Sequence, residues 1–112
     1  MPRPRKPRFV NARPLVDVFF PNRLPPWGRE EVVLSVEGLE AIRLSDFEGL
    51  DQEAAAARMN VSRPTFGRIL TEARQIVADA LVMGKTLRIE GGYFEMPPRG
   101  RARWRRGRGG PF

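Results

Sequence analysis

Residues 50–71, LDQEAAAARMNVSRPTFGRILT, have the pattern of two helices joined by a sharp turn. Asp51 can cap the first helix, and residues 52–59 contain no Gly, Pro or β-branched residue that would interrupt about two helical turns. Asn60 follows, and Asn is one of the few residues that adopt the left-handed conformation needed to end a helix sharply. Ser62 can then cap a second helix. The short turn between the two caps predicts a helix-turn-helix.

The small and apolar residues of this stretch fit a close crossing of the two helices. Ala55 and Ala56 are small where two helix backbones would touch, and Pro64 lies in the first turn of the second helix, where its missing N–H costs little. Larger apolar side chains are expected to fill the space around the crossing, namely Met59, Val61, Phe66 and Ile69.

The polar side chains of the second helix are the candidate DNA-binding residues. They begin at the helix N-terminus, the end that a recognition helix directs into the major groove, and arginine there can bind a guanine edge or a phosphate. In the alternative interpretation this is an ordinary antiparallel helix pair whose arginines are only solvated. We expect base contacts from Ser62, Arg63, Thr65 and Arg68, and contacts nearer the DNA backbone from Thr71 and Arg74.

The charge of the chain is divided between a basic start, an acidic middle and a basic end. Residues 1–29 hold seven Lys/Arg against one acid, residues 30–96 hold seven against twelve, and residues 97–112 hold six against none. The net charge of +7 therefore comes from the two ends. Within the acidic middle, residues 62–75 still hold three Arg against one Glu, which favours a directed nucleic-acid surface over uniform basicity.

The amino-acid composition excludes several kinds of functional site. The chain has neither cysteine nor histidine, so disulfides, zinc fingers and histidine bases are excluded, and we expect no metal and no cofactor. Acids at helix ends are typically caps and solvated faces, so we expect no enzyme activity from the cluster of Asp46, Glu48, Asp51 and Glu53. No apolar run reaches membrane-spanning length and no signal peptide follows the basic start, which predicts a cytoplasmic protein without membrane contact.

The length of 112 residues predicts one domain with two tails. Residues 1–8 alternate Pro with basic residues and are expected to be a flexible arm. Residues 9–96 are expected to form the helix-turn-helix domain. The Arg/Gly-rich residues 97–112 have no core-forming pattern and are expected to be a disordered tail.

A mainly α fold with three helices, the last one long, is predicted for the domain. Helical patterns run from about residue 36 to 48, over residues 52–59, and from Ser62 to Met83, where Gly84 ends the last helix. We expect inward-facing apolar residues at helical spacing on the first and last helices: Leu39, Ile42 and Phe47, and Phe66, Ile69, Leu70, Ala73, Val77, Ala80 and Leu81.

Short strands are predicted on both sides of the helices. Residues 15–20, LVDVFF, and residues 31–34 have strand composition, and Trp27 between them is expected to cover the core. Gly91-Gly92 is typical of a two-residue turn, which predicts a C-terminal β-hairpin of residues 86–96. The hairpin is expected either to act as a wing or, preferably, to pair with residues 15–20.

Four segments of the chain resemble a known family: MPRPRK, EEVVLSVEGLEAIRLSDFEGL, QEAAAARMNVSRPTFGRIL and ARQIVADALVMGKTLRIEGGYFEM. This is the bacterial and archaeal family built on domain of unknown function 134, whose members are described as predicted DNA-binding proteins similar to region 4 of sigma-70-type factors. The resemblance covers most of residues 1–96 and implies a DNA-binding fold without a known target. Pro7 stands where many members have cysteine, and the tail lies outside the common domain.

Two classes of function compete. In the leading hypothesis the chain is a sequence-specific protein that binds double-stranded DNA, a transcriptional regulator that reads the major groove with the helix starting at Ser62. In the alternative it is a protein-interaction or RNA-associated module whose Arg/Gly tail, with Trp104, binds nucleic acid. A homodimer is also expected, since residues 76–82 and 15–20 have more apolar surface than one small domain needs.

Overall fold

Three helices and five short strands form the fold in the computed structural model, which describes residues 7–96. Helix α1 spans Val36–Ile42 and continues as a wider π-helical turn over Arg43–Phe47. Helix α2 spans Gln52–Met59, and α3 spans Arg63–Met83. The prediction of three helices with a long last one is therefore confirmed. The predicted tail and all but two residues of the predicted arm lie outside the described residues.

The helices begin and end where the sequence predicts. Ser35, Asp51 and Ser62 each accept a hydrogen bond from the backbone N–H three residues further on, at 3.0, 2.8 and 3.2 Å. Asn60 ends α2 with a φ of 59°, and Gly84 ends α3 with a φ of 67°. Each cap satisfies backbone groups that a helix end would otherwise leave without a partner.

The crossing of α2 and α3 is built on small residues, as expected. Ala55 and Met59 of α2 are fully buried against Phe66 and Leu70 of α3, and Leu44 of the π-helical turn completes this core. Gly67 lies beside the start of α2, where the Gln52 side-chain oxygen is 3.4 Å from the place a Cβ would occupy on Gly67. The start of α2 is therefore close to the first half of α3.

Helix α1 crosses α3 at Gly38, although glycine within a helix disfavours helix formation. A Cβ at Gly38 would lie 2.9 Å from the Leu34 side chain and 3.3 Å from Cβ of Ala73. The glycine therefore allows α1 to approach α3 closely. Glycine suits this position because it has no side chain, and not because its backbone is flexible.

The strands form two small sheets. Strands β2 (Val18–Phe19), β4 (Thr86–Ile89) and β3 (Glu31–Leu34) form one sheet in that order, with β4 antiparallel to β2 and parallel to β3. Strands β1 (Arg8–Phe9) and β5 (Phe94–Glu95) pair in parallel. A second core joins the strands to the helices through Val10, Leu34, Val36, Ala73 and Ile89.

The predicted C-terminal hairpin is wrong. Strand β4 lies in the middle of its sheet, so both of its edges are occupied and β5 cannot pair with it. The chain does turn at Gly91 and Gly92, with φ values of 78° and 101°. The Gly91 carbonyl accepts a hydrogen bond from the N–H of Val36 at 3.1 Å, and β5 then pairs with β1. The preferred pairing with residues 15–20 is confirmed, over Val18–Phe19 only.

Three apolar residues expected to face the core are exposed. Phe47 is 77% exposed because the π-helical turn, closed by the Glu48 N–H to Arg43 carbonyl bond, shifts the helical spacing. Trp27 lies on a tight turn beyond the sheet and is 87% exposed, so it does not cover the core. Leu81 is 78% exposed because the core ends before the last turn of α3.

The fold also includes one residue expected in the arm. Arg8 lies in β1, where its backbone N–H donates to the Tyr93 carbonyl at 3.0 Å. Its side chain is largely buried and approaches the Glu37 carboxylate at 4.0 Å. The ordered domain therefore begins before residue 9.

Candidate nucleic-acid interface

The turn between α2 and α3 fixes the direction in which α3 begins. Asn60 reverses the chain in the left-handed conformation, and the Val61 N–H then donates to the Ala56 carbonyl at 3.0 Å. Val61 packs against the core, which leaves Ser62 and Arg63 at the surface. The first turn of α3 is therefore exposed at the edge of the domain.

Two of the predicted base-contacting residues are engaged with each other. The Ser62 hydroxyl accepts from the Thr65 N–H at 3.2 Å and donates to the Thr65 hydroxyl at 3.0 Å. Ser62 is exposed and Thr65 is half-buried. Both hydroxyls therefore serve first to cap α3, although each retains lone pairs that can accept a further hydrogen bond.

Arg63 and Arg68 have the exposure that the prediction requires. Both side chains are exposed, and within residues 7–96 neither makes a hydrogen bond or an ion pair. Thr71 is also exposed, about one helical turn after Arg68. At helical spacing, Arg68 and Thr71 lie on the side of α3 opposite to the buried Phe66 and Leu70.

Arg74 is placed differently from the other predicted site residues. Its guanidinium contacts Asp46 of the π-helical turn at 2.6 Å and the Ser45 hydroxyl at 3.4 Å. The hydrogen bond from Arg74 lowers the pKa of the Asp46 carboxyl below its usual range. The structure therefore brings Arg74 to α1 and its extension, so its charge is already partly neutralised.

The pattern of ion pairs across the described residues separates two groups of basic side chains. Arg8, Arg43, Arg74, Lys85 and Arg88 each contact a carboxylate. Five other arginines of residues 7–96 have no such contact and are exposed: Arg13, Arg23, Arg58, Arg63 and Arg68. Three of those five belong to α2 and α3. The α2–α3 helix pair therefore carries three arginines that no carboxylate of residues 7–96 contacts, while five other cations of the domain are paired.

Sequence reasoning missed two residues beside this surface. Arg58 is exposed in the last turn of α2 and has no acidic partner among residues 7–96. Gln75 is exposed and follows Arg68 by seven residues, so it lies on the same side of α3. Helical spacing could have identified Gln75. The lack of an acidic partner for Arg58 among residues 7–96 depends on the tertiary structure, so no local sequence pattern predicts it.

Two features are absent from the part of the chain that the structure describes. Over residues 7–96 no three Asp or Glu side chains are placed to hold a metal ion together. The same residues contain no helix long and apolar enough to cross a membrane.

Comparisons with known proteins place the chain in a family. The family model described as "Protein of unknown function DUF134" matches residues 1–97. The chain belongs to this family. The match includes the whole α2–α3 pair and leaves nearly all of the Arg/Gly tail outside. No solved structure was found to match the chain.

Curated relatives within the DUF134 family are similar over the same region. A UPF0251 protein of Caldanaerobacter subterraneus subsp. tengcongensis is 57% identical over 96 residues, 86% of this chain and 81% of the relative. A UPF0251 protein of Moorella thermoacetica is 60% identical over 96 residues, 86% of this chain but 64% of the relative. One from Dehalococcoides mccartyi is 52% identical over 99 residues, 88% of this chain and 85% of the relative.

Proposed function

We propose that this chain is a sequence-specific DNA-binding protein of the sigma-70 region-4-like helix-turn-helix type that regulates transcription. The first half of α3 enters the major groove of double-stranded DNA. The observation that supports this most directly is the exposure of Arg63 and Arg68, which have no ion-pair partner within residues 7–96. The proposal includes a cytoplasmic location, where the protein has access to the chromosome, and assigns it no catalytic step.

Electrostatics favour a polyanionic partner at this surface. Residues 30–96 hold twelve acids against seven bases, so carboxylates outnumber cations in this region. Arg58, Arg63 and Arg68 nevertheless remain unpaired among the described residues. Phosphates attract such free guanidinium groups more strongly than cations that are already paired.

The individual residues have different roles in the proposal. Arg68 lies more than one turn inside α3, where a bidentate bond to a guanine edge is within reach, so it reads a base. Arg63 at the helix entry and Arg58 at the end of α2 contact phosphates. Thr71 and Gln75 extend the polar face along the groove, and Ser62 and Thr65 mainly hold the helix start in place.

The test compares Arg68→Ala with wild type and with Arg13→Ala in the full chain. Arg13 is a matched control, because it is also exposed, unpaired among the described residues and removes the same charge. Binding to a selected duplex and to its scrambled version is measured across a salt series. Arg68→Ala should cost about 1–3 kcal/mol on the selected duplex and much less on the scrambled one. Arg13→Ala should weaken binding to both duplexes equally or to neither of them.

Deletion of residues 97–112 separates the second candidate function from the first. Six arginines without an acid and Trp104 favour binding of single strands through charge and stacking. If all six engage phosphates, the deletion should flatten the salt dependence by about five units on every sequence and preserve the specificity ratio. Equal weakening of both duplexes by Arg68→Ala would refute the recognition-helix assignment. An effect of the tail deletion alone would favour the RNA-associated or protein-interaction module.

A further inference from the structure

A second surface of the domain is apolar and lies away from the start of α3. It consists of residues 15–27 and residues 81–83, and we call it the apolar flank. Trp27 is 87% exposed, and Leu81 and Val82 are 78% and 79% exposed. Phe19 and Phe20 are more than half exposed as well. Nine of the twelve large apolar side chains that are exposed in residues 7–96 belong to these two segments.

The two segments of the apolar flank are neighbours in space. The Leu24 side chain lies 4.0 Å from the place a Cβ would occupy on Gly84, directly after α3. The Thr86 N–H donates to the Glu30 carbonyl at 2.8 Å. Lys85 contacts both Asp79 of α3, at 2.9 Å, and Glu30, at 3.7 Å. The loop after β2 is therefore tied to the end of α3, which brings the two segments of the flank together.

One of the exposed aromatic side chains, Phe20, is held by a specific contact. The Arg29 guanidinium lies 4.5 Å from the centroid of the Phe20 ring, within the range of a cation–π contact. The same side chain donates to the Leu24 carbonyl at 2.8 Å. Pairing of β2 with β4 fixes Phe19 opposite Leu87. Side chains and backbone that are already ordered lose little conformational entropy when a partner covers them, which favours binding at this part of the flank.

The size of the flank is that of an interface. From the exposed fractions, its apolar side chains present on the order of 1,000 Å², whereas the largest apolar patch of a typical monomer is about 300–600 Å². A standard interface buries about 800 Å² on each partner. The summed apolar area of the two segments therefore reaches that of one side of a standard interface.

We propose that the apolar flank is the interface of a two-fold symmetric homodimer. A two-fold interface uses the same patch on both chains, so one self-complementary surface suffices. Strand β2 is the edge of its sheet, and an edge strand can pair antiparallel with its own copy across a two-fold axis. Pro14 and Pro21 limit such pairing to the residues between them, which stops it from propagating. The flank exposes both Asp17 and Arg23, so charge does not select a partner of one sign.

The dimer deepens the proposed function, and this consequence rests on that function. Helix α3 is about 30 Å long, and the flank includes its C-terminal end while the recognition residues lie at its start. Two copies joined at the flank hold their recognition helices apart in a two-fold arrangement. The expected target is an inverted repeat whose half-sites are separated by a whole number of helical turns.

The oligomeric state of the full chain tests the dimer without DNA. Sedimentation at micromolar concentration should give twice the chain mass of 12.7 kDa. Leu81→Glu places an unpaired charge twice in the interface and should raise the dimer dissociation constant by about 100-fold or more. Phe47→Glu is the matched control, because Phe47 is equally exposed but lies outside the flank. It should leave the dissociation constant unchanged.

Trp27 provides a second measurement that does not depend on Leu81. In a Trp104→Phe chain, Trp27 is the single tryptophan, and its emission should shift to shorter wavelength on dimerisation as the interface covers the ring. Trp27→Ala should also weaken the dimer. A wild-type chain that stays monomeric, or equal effects of Leu81→Glu and Phe47→Glu, would overturn the proposal. A dimer without DNA binding would retain it and refute only the proposed function.

Discussion

The two halves of α3 have similar apolar spacing but different surroundings. In the first half Phe66, Leu70 and Ala73 are all buried, because α1 and α2 pack on that side, and the opposite side is polar. In the last turn only Ala80 is buried, while residues 81–83 are exposed. Helical periodicity predicts which residues share a face, whereas burial requires a neighbouring element. An apolar helix end that no neighbouring element covers indicates a surface available to another chain.

The largest expected effect comes from the buried half. Phe66→Ala removes a fully buried ring from the α2–α3 core and should lower the free energy of unfolding by about 3–5 kcal/mol. Leu81→Ala changes an exposed residue and should alter the stability of the monomer by about 0.5 kcal/mol or less. Urea unfolding at a concentration low enough to keep the chain monomeric measures both. Similar losses for the two variants would contradict the contrast between the halves.

A smaller effect is expected where α1 crosses the middle of α3. Gly38→Ala forces a Cβ against the Ala73 Cβ and the buried Leu34 side chain, and should cost about 1–3 kcal/mol in the free energy of unfolding.

Gly67→Ala is the matched control within α3. Its Cβ would meet only the flexible end of the Gln52 side chain, at 3.4 Å, and replacing a mid-helix glycine by alanine favours the helix by up to about 1 kcal/mol. The two substitutions should therefore have opposite signs in urea unfolding. Equal destabilisation by both substitutions would mean that the close approach of α1 to α3 at Gly38 is not what makes Gly38→Ala destabilising.

The parts of the fold predicted correctly from sequence depend on local chemistry. Asp51, Asn60, Ser62 and Gly84 each cap or end a helix through contacts within a few residues, so their signals are visible in the chain. The prediction of a hairpin at Gly91-Gly92 was wrong because strand pairing does not depend on local chemistry alone. The glycines do turn the chain, but the partner of the next strand depends on which edge of β4 is free, and only the assembled sheet determines that.

The candidate site shows the same division. Exposure of Arg68 follows from helical spacing, which the sequence contains. Arg63 lies seven residues before the buried Leu70, so its exposure comes instead from its place in the first turn of α3, at the edge of the domain. The contact of Arg74 with Asp46 joins residues 28 positions apart, and the π-helical turn that presents Asp46 has no recognisable sequence signal. Phe47 was misassigned for the same reason. Sequence could therefore predict the face of α3 but not which of its cations is already paired.

The smallest expected effect concerns this contact. Asp46→Asn removes the carboxylate that partly neutralises Arg74, so Arg74 becomes free to meet a DNA phosphate. An exposed ion pair is worth at most about 1 kcal/mol, so DNA affinity should rise by no more than about fivefold. The salt dependence should steepen by about one unit, because one more phosphate contact is made. Both gains should disappear in the double variant Asp46→Asn with Arg74→Ala.

The pH dependence of stability gives the same contact an independent check. Because the hydrogen bond from Arg74 lowers the pKa of Asp46 in the folded chain, the pair stabilises the fold above the ordinary carboxyl pKa of about 4. That contribution is lost as the pH falls through the lowered value. Wild type should therefore be slightly more stable than Asp46→Asn at neutral pH, by less than about 1 kcal/mol. In acid the free energies of unfolding of the two proteins should converge. Urea unfolding at neutral pH and below pH of about 4 measures the difference. A gap that stays constant with pH would show that the carboxylate charge does not hold Arg74, and that the rise in DNA affinity needs another cause.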